Sequence, residues 1–125
     1  MENPPNVKIQ VVTYKKEEDL VRYQIKITSQ DDPSLNAEFY ERYSSLHKLH
    51  EALKKEANNL SNFPKFPPKK FFGTTDERFL NQRQLGLQTY FDAITRTEDF
   101  VNLPSFKKWI NILFIYYNIN NSNLI

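Results

Sequence analysis

The chain has 125 residues, 39% apolar and 14% aromatic, and its 17 Lys and Arg against 15 Asp and Glu leave a net charge of +2. That is the size and apolar content of one domain with a true core, and so mild a charge excludes a protein that works through bulk positive potential. The absence of cysteine excludes disulfide scaffolds, thiolate metal sites and thiol catalysis.

Residues 1–6, Met-Glu-Asn-Pro-Pro-Asn, read as a short extension without the basic and apolar regions of a signal peptide. Val7 to Tyr14 then alternates, with Val7, Ile9 and Val11 on one side, and residues 20–28 alternate through Val21, Tyr23, Ile25 and Ile27. Joined by the polar KKEED, these two β-branched segments predict a β-hairpin. Asp31-Asp32-Pro33-Ser34 predicts a turn, and Ala37 and Phe39 mark a third strand over Asn36–Glu41. Leu46, Leu49, His50, Leu53 and Ala57 then fall at helical spacing behind Ser44 and Ser45, either of which suits a helix cap. After the proline-rich FPKFPPKKFFG of residues 63–73, a second helical pattern runs from Asp76 through Leu80, Arg83, Leu87, Tyr90, Phe91 and Ile94. Pro104 opens a last helix with Phe106, Trp109, Ile110 and Leu113 on its inner face, and Asn118 onward reads as a frayed tail over 118–125. Strands first and helices afterwards predict an α+β domain over 7–117, a three-stranded antiparallel sheet packed against three to four helices. The greasiest run, WINILFIYY at 109–117, falls far short of the ~20 residues that span a bilayer. A soluble, cytoplasmic protein is expected, one that meets membranes only from outside.

Enzymatic chemistry finds no support. His47 and His50 form an H-x-x-H, but no nearby carboxylate pattern completes a metal site; His50 is expected on the core side and His47 in water. The clusters Glu17-Glu18-Asp19 and Glu98-Asp99 fall in predicted turns, where solvation is expected, and two glycines, Gly73 and Gly86, do not make a phosphate loop. No cofactor and no metal are expected. Cations at element junctions are more informative. Arg42 ends the third strand, Lys69 and Lys70 stand in the proline loop beside Phe71 and Phe72, and Arg83 shares the apolar stripe of Leu87 and Tyr90. Alone, Arg83 reads as a snorkelling side chain or an internal salt bridge, and Arg42 as a solvated strand end.

The order strand–Arg42-Tyr43-Ser44–helix, then Pro67-Pro68-Lys69, then R-x-x-x-L-x-x-Y-F from Arg83 to Phe91 resembles the phox-homology (PX) domain over roughly Val7 to Tyr117. The resemblance implies a non-enzymatic module that binds phosphoinositide headgroups, most often phosphatidylinositol 3-phosphate, and recruits its protein to endosomal or vacuolar membranes for trafficking, as small sorting nexins do. It implies that Arg42 grips the 3-phosphate, Ser44 adds a hydroxyl, Lys69 meets the 1-phosphate and Arg83 donates to the 4- and 5-hydroxyls. A planar guanidinium suits paired phosphate bonds, and a helix N-terminus favours anions. Tyr43 would lie against the inositol, or equally serve as a core tyrosine. Phe71 and Phe72 would enter the bilayer while Lys70 stays among phosphates. Glu41 departs from the basic residue many relatives carry there; strand alternation turns it to the face opposite Arg42. A monomer in solution is expected, with a protein partner or second membrane contact adding avidity. Two other readings stand beside this one: Pro64-x-x-Pro67 as an SH3-type ligand, and single-stranded nucleic-acid binding, which the small charge and core-spaced aromatics oppose.

Overall fold

The computed structural model describes residues 4–69 and 76–122, with side chains of the last helix through Tyr116. Lys70, Phe71 and Phe72 lie outside the described residues. Three strands, β1 (Val7–Glu17), β2 (Leu20–Ser29) and β3 (Asn36–Arg42), form an antiparallel sheet in the order β1-β2-β3. Four helices follow among the described residues: α1 (Tyr43–Glu56), α2 (Glu77–Arg96), the single turn α3 (Glu98–Val101) and α4 (Pro104–Ser122). This is the α+β architecture that the order of periodic segments predicts.

Strand alternation decides the buried face. Val7, Ile9 and Val11 of β1, Tyr23, Ile25 and Ile27 of β2, and Ala37 and Phe39 of β3 are buried together. The helices cover them with Leu46, Leu53, Leu87, Tyr90, Phe91, Ile94, Phe106 and Ile110. Fully burying each large apolar side chain contributes about 1.5–3 kcal/mol, so this single core dominates stability. The hairpin is longer than the alternation alone suggests. Strand β1 runs on into KKEED until Glu17 faces Leu20, leaving a two-residue loop in which Glu18 takes φ 54. A bulge at Val12 shifts the register between Val11 and Thr13, so Tyr14 rather than Thr13 returns to the inner face, with its ring 6.0 Å from that of Tyr23.

Helix α2 seals the free edge of β1 with two glutamines one turn apart. Gln88 accepts from the Val11 N–H (2.7 Å) and donates to the Ile9 carbonyl (2.8 Å), while Gln84 donates to the carbonyls of Val11 and Val12. An exposed edge strand is thereby satisfied and blocked from pairing with another chain. The same clamp fixes the rotation of α2, and with it the side chain of Arg83. Helix α4 begins at Pro104 as its fixed φ favours, tied to α1 by Glu56, which accepts from the Ser105 N–H and hydroxyl. It runs on through Ser122, past the point where the asparagines suggest fraying; no proline or glycine after Pro104 stops it.

Candidate functional site

Strand β3 passes into α1 without a break. Arg42 keeps extended dihedrals (φ −79, ψ 152) and Tyr43 is already helical, so Ser44 and Ser45 lie inside the first turn instead of capping it. No side-chain cap bonds this N-terminus, and no acidic residue lies in its first turn. The start of α1 therefore keeps the partial positive charge of its uncapped N–H groups.

Beside this turn lies a cleft of about 180 Å³ lined by Asp19, Leu20, Val21, Tyr23, Arg42, Tyr43, Ser44 and Arg83. Residues from the hairpin tip, the β3–α1 junction and the middle of α2, some 60 positions apart in the chain, meet here. Arg42 is exposed, and directly across the sheet from it stands Arg22, itself opposite Lys15 on β1. Three cations in one cross-strand row repel one another and raise the positive potential near the cleft. Glu17 answers Lys15 at 3.4 Å, whereas no ion pair within 4.0 Å reaches Arg22, Arg42 or Arg83 among the described residues. Glu41 pairs in register with Tyr23, on the sheet face opposite Arg42, and forms no ion pair with it.

Arg83 stands apart among the described residues. It is 8% exposed, held by the chain's apolar stripe, and has no carboxylate partner among them. Its guanidinium lies 3.7 Å from the centre of the Tyr43 ring and 4.5 Å from that of Phe79. One Nη2 hydrogen bond reaches the Pro68 carbonyl at 3.3 Å, and Nε has no partner. Burial pulls its pKa below the usual arginine value, against the opposing influence of Tyr23 and Tyr43. Neither of the two bland readings, snorkelling or an internal salt bridge, describes this residue: its head is buried and its charge unanswered. Tyr23, on the cleft floor, donates to the Leu80 carbonyl at 3.4 Å, and burial raises its pKa to about 12, with Arg83 opposing.

Tyr43 joins three elements. Its hydroxyl donates to the Pro67 carbonyl at 2.7 Å, one ring contact is Arg83, and His47 stacks on it at 5.7 Å. It is half-buried, so its ring both supports the guanidinium and borders the cleft. Lys69 lines an adjoining hollow that shares Tyr43 and Ser44 with the first. All five residues singled out for headgroup contact, Arg42, Tyr43, Ser44, Lys69 and Arg83, thus border one continuous region of surface. Of the three residues expected to meet the bilayer, none falls among those described.

The proline segment reaches this site through its aromatics. Phe66 stacks on His50 at 4.8 Å and meets the Tyr90 ring at 5.0 Å, and Phe63 contacts Phe100 at 5.2 Å. Pro67 is buried, so the P-x-x-P does not present both its prolines to a partner. His50 lies against Phe66 with Nδ1 3.1 Å from the Tyr90 hydroxyl, and His47 pairs with Glu51 at 3.2 Å. Among the described residues no group of three His, Cys, Asp or Glu could hold a metal, and no helix is long and apolar enough to cross a membrane.

Two further residues, one against Arg83 and one on the cleft wall, carry weak sequence signals. Phe79 precedes Arg83 by four positions, a spacing that puts both on one helical face. Asp19 belongs to a carboxylate cluster that reads as solvated, and only the fold brings it to the cleft wall.

Comparison with known proteins agrees with this architecture. The family model for the PX domain matches residues 31–112. Sorting nexin-13 of Mus musculus is 36% identical over 59 residues, and kinesin-like protein KIF16B of Homo sapiens is 35% identical over 68. Those alignments take in 47% and 54% of this chain but only 6% and 5% of the two relatives' lengths. The X-ray structure of a designed CISK-PX domain superposes with a TM-score of 0.67 at 27% identity, covering 82% of this chain and 96% of that one.

Proposed function

The chain belongs to the PX domain family, whose members are generally non-enzymatic phosphoinositide-binding modules that target membranes, and on that premise we propose that it binds phosphatidylinositol 3-phosphate. The observation that carries this reading is a buried guanidinium without a counter-ion, Arg83, lining the same cleft as Arg42 beside an uncapped helix N-terminus. A phosphomonoester brings about −1.5 to −2 charges and three acceptor oxygens, the complement that such a cleft lacks. Arg42 binds the 3-phosphate with its planar fork, assisted by the Ser44 hydroxyl and the free N–H groups of the first α1 turn. Arg83 donates through its remaining Nη hydrogens to the 4- and 5-hydroxyls, and Tyr43 presents its ring edge to the sugar. Lys69, in the adjoining hollow, meets the 1-phosphate. Because Arg83 is fixed between two rings, it leaves little room for phosphates on the hydroxyls it contacts, which favours the 3-phosphorylated lipid over bisphosphates.

Phe71 and Phe72 insert into the bilayer while Lys70 remains among headgroups, each lysine adding about 1 kcal/mol on an anionic leaflet. The domain is a monomer in solution and acts on endosomal or vacuolar membranes, with avidity from a partner or a second contact. Sedimentation with vesicles carrying each phosphoinositide in turn tests the reading. Binding concentrated on the 3-phosphate lipid and lost in Arg42→Ala is the expected result. Equal binding to every anionic vesicle, unchanged by that substitution, leaves only diffuse charge attraction.

A further inference from the structure

Where Pro67 meets α2, the helix carries a glycine. A Cβ placed on Gly86 meets Pro67 Cγ at 2.8 Å and Pro67 Cβ at 3.4 Å. Gly86 follows Arg83 by three positions, so it occupies the same helical face one turn further along. Pro67 is buried there, and its carbonyl takes the Tyr43 hydroxyl at 2.7 Å. The next carbonyl, of Pro68, takes Arg83 Nη2 at 3.3 Å. Tyr43 in turn lies 3.7 Å from the Arg83 guanidinium, which closes the circle Gly86–Pro67–Tyr43–Arg83–Pro68. Glycine is otherwise a poor choice for the interior of a long helix, since it weakens the helix relative to alanine. Here no other residue lets the Pro67 ring come so close.

We propose that Gly86 is a positioning residue for the cleft: by admitting Pro67 against α2, it sets the two proline carbonyls that aim Tyr43 and Arg83 at the bound headgroup. The inference rests on the reading of this cleft as a phosphoinositide site. A methyl group at position 86 lifts Pro67 off the helix, and the stiff Pro67-Pro68 pair carries the displacement to both carbonyls at once. Arg83, already without a partner on Nε, then loses its one backbone anchor and the ring that supports it. Since alanine also strengthens the helix, folding and binding respond differently to the same methyl.

Gly86→Ala in the full chain, titrated with soluble inositol 1,3-bisphosphate, separates these effects. The affinity is expected to fall at least about tenfold, while the circular dichroism stays that of the unsubstituted protein. In the unliganded protein the Arg83 Nε–H resonance moves, a signal that a substitution acting on stability alone leaves in place. Trimming the other side of the contact rescues: the Gly86→Ala, Pro67→Ala pair binds more tightly than Gly86→Ala by itself. Should Gly86→Ala not fold, Pro67→Gly loosens the same seat without crowding it and is expected to lose affinity likewise. Unchanged affinity and an unmoved Arg83 resonance in Gly86→Ala, with the unsubstituted chain binding normally, overturn the positioning role alone. An unsubstituted chain that fails to bind the headgroup at all removes the underlying reading and this inference together.

Discussion

Replacing Arg83 with methionine is predicted to remove binding without harming the fold. The loss side holds one Nη2–Pro68 hydrogen bond at 3.3 Å and two ring contacts at 3.7 and 4.5 Å. A charged hydrogen bond is worth about 1.5–3 kcal/mol net and each desolvated cation–π contact about 2 kcal/mol, so roughly 5.5–7 kcal/mol is forfeited. Against this, a buried unpaired cation carries a desolvation penalty of several kcal/mol, and leaving Nε unsatisfied adds about 1–3 kcal/mol more. Methionine keeps the apolar stem and sets a polarizable sulfur near the Tyr43 and Phe79 rings. The two sides nearly cancel, and urea unfolding should find Arg83→Met within about 1–2 kcal/mol of the parent, on either side. Binding has no such compensation. Losing charge-assisted bonds worth about 1.5–3 kcal/mol weakens the headgroup roughly 10- to 150-fold, read by calorimetry with inositol 1,3-bisphosphate. A variant destabilised by more than about 3 kcal/mol would refute the reasoning, because the guanidinium would then be a structural post whose charge is answered within the fold.

Arg42→Lys keeps the charge and loses the fork; a drop of about tenfold in headgroup affinity with stability changed by less than about 0.5 kcal/mol is expected, checked by calorimetry and thermal melting. Tyr43→Phe strands the Pro67 carbonyl that now accepts at 2.7 Å, so the unfolding free energy should fall by about 1 kcal/mol and the affinity with it. His50 gives a pH signature. Burial, then His47 and Lys54, hold its pKa below 6.5, with Glu51 opposing, so the folded state prefers the neutral ring. The unfolded chain takes up that proton first, which makes its contribution complete above about pH 6.5 and progressively lost as pH falls toward the lower folded value. Unfolding curves from pH 7.5 to 5 should therefore fall with less slope in His50→Gln than in the parent, and equal slopes would contradict this assignment.

Much of the architecture is legible in the residues. Alternation in Val7–Val11 and Tyr23–Ile27 names the buried face of each strand, and the stripe from Leu80 to Ile94 names that of α2, because one core rewards both periods. Junction cations are legible too, since Arg42 and Arg83 stand where apolar or turn residues are the usual occupants. What the sequence conceals is long-range. The Val12 bulge depends on strand twist, and the glutamine clamp on β1 requires knowing that β1 is an edge. Asp19 reaches the cleft only because the hairpin extends to Glu17 and Leu20. Local composition likewise places Ser44 and Ser45 as caps, whereas β3 runs directly into helix and makes Arg42 the boundary. Gly86 gives no hint of its contact with Pro67, a residue on another element.

The central claim is that Arg42, the first turn of α1 and Arg83 act on one headgroup. A titration of inositol 1,3-bisphosphate into nitrogen-15-labelled protein tests it most directly, following the backbone amides of Tyr43, Ser44 and Ser45 together with the Nε–H of Arg83. These signals should shift along one saturating curve with a single stoichiometry, and Arg42→Ala should weaken all of them alike. Small shifts scattered over surface lysines without saturation, or an Arg83 Nε–H that stays put while the α1 amides move, would contradict it.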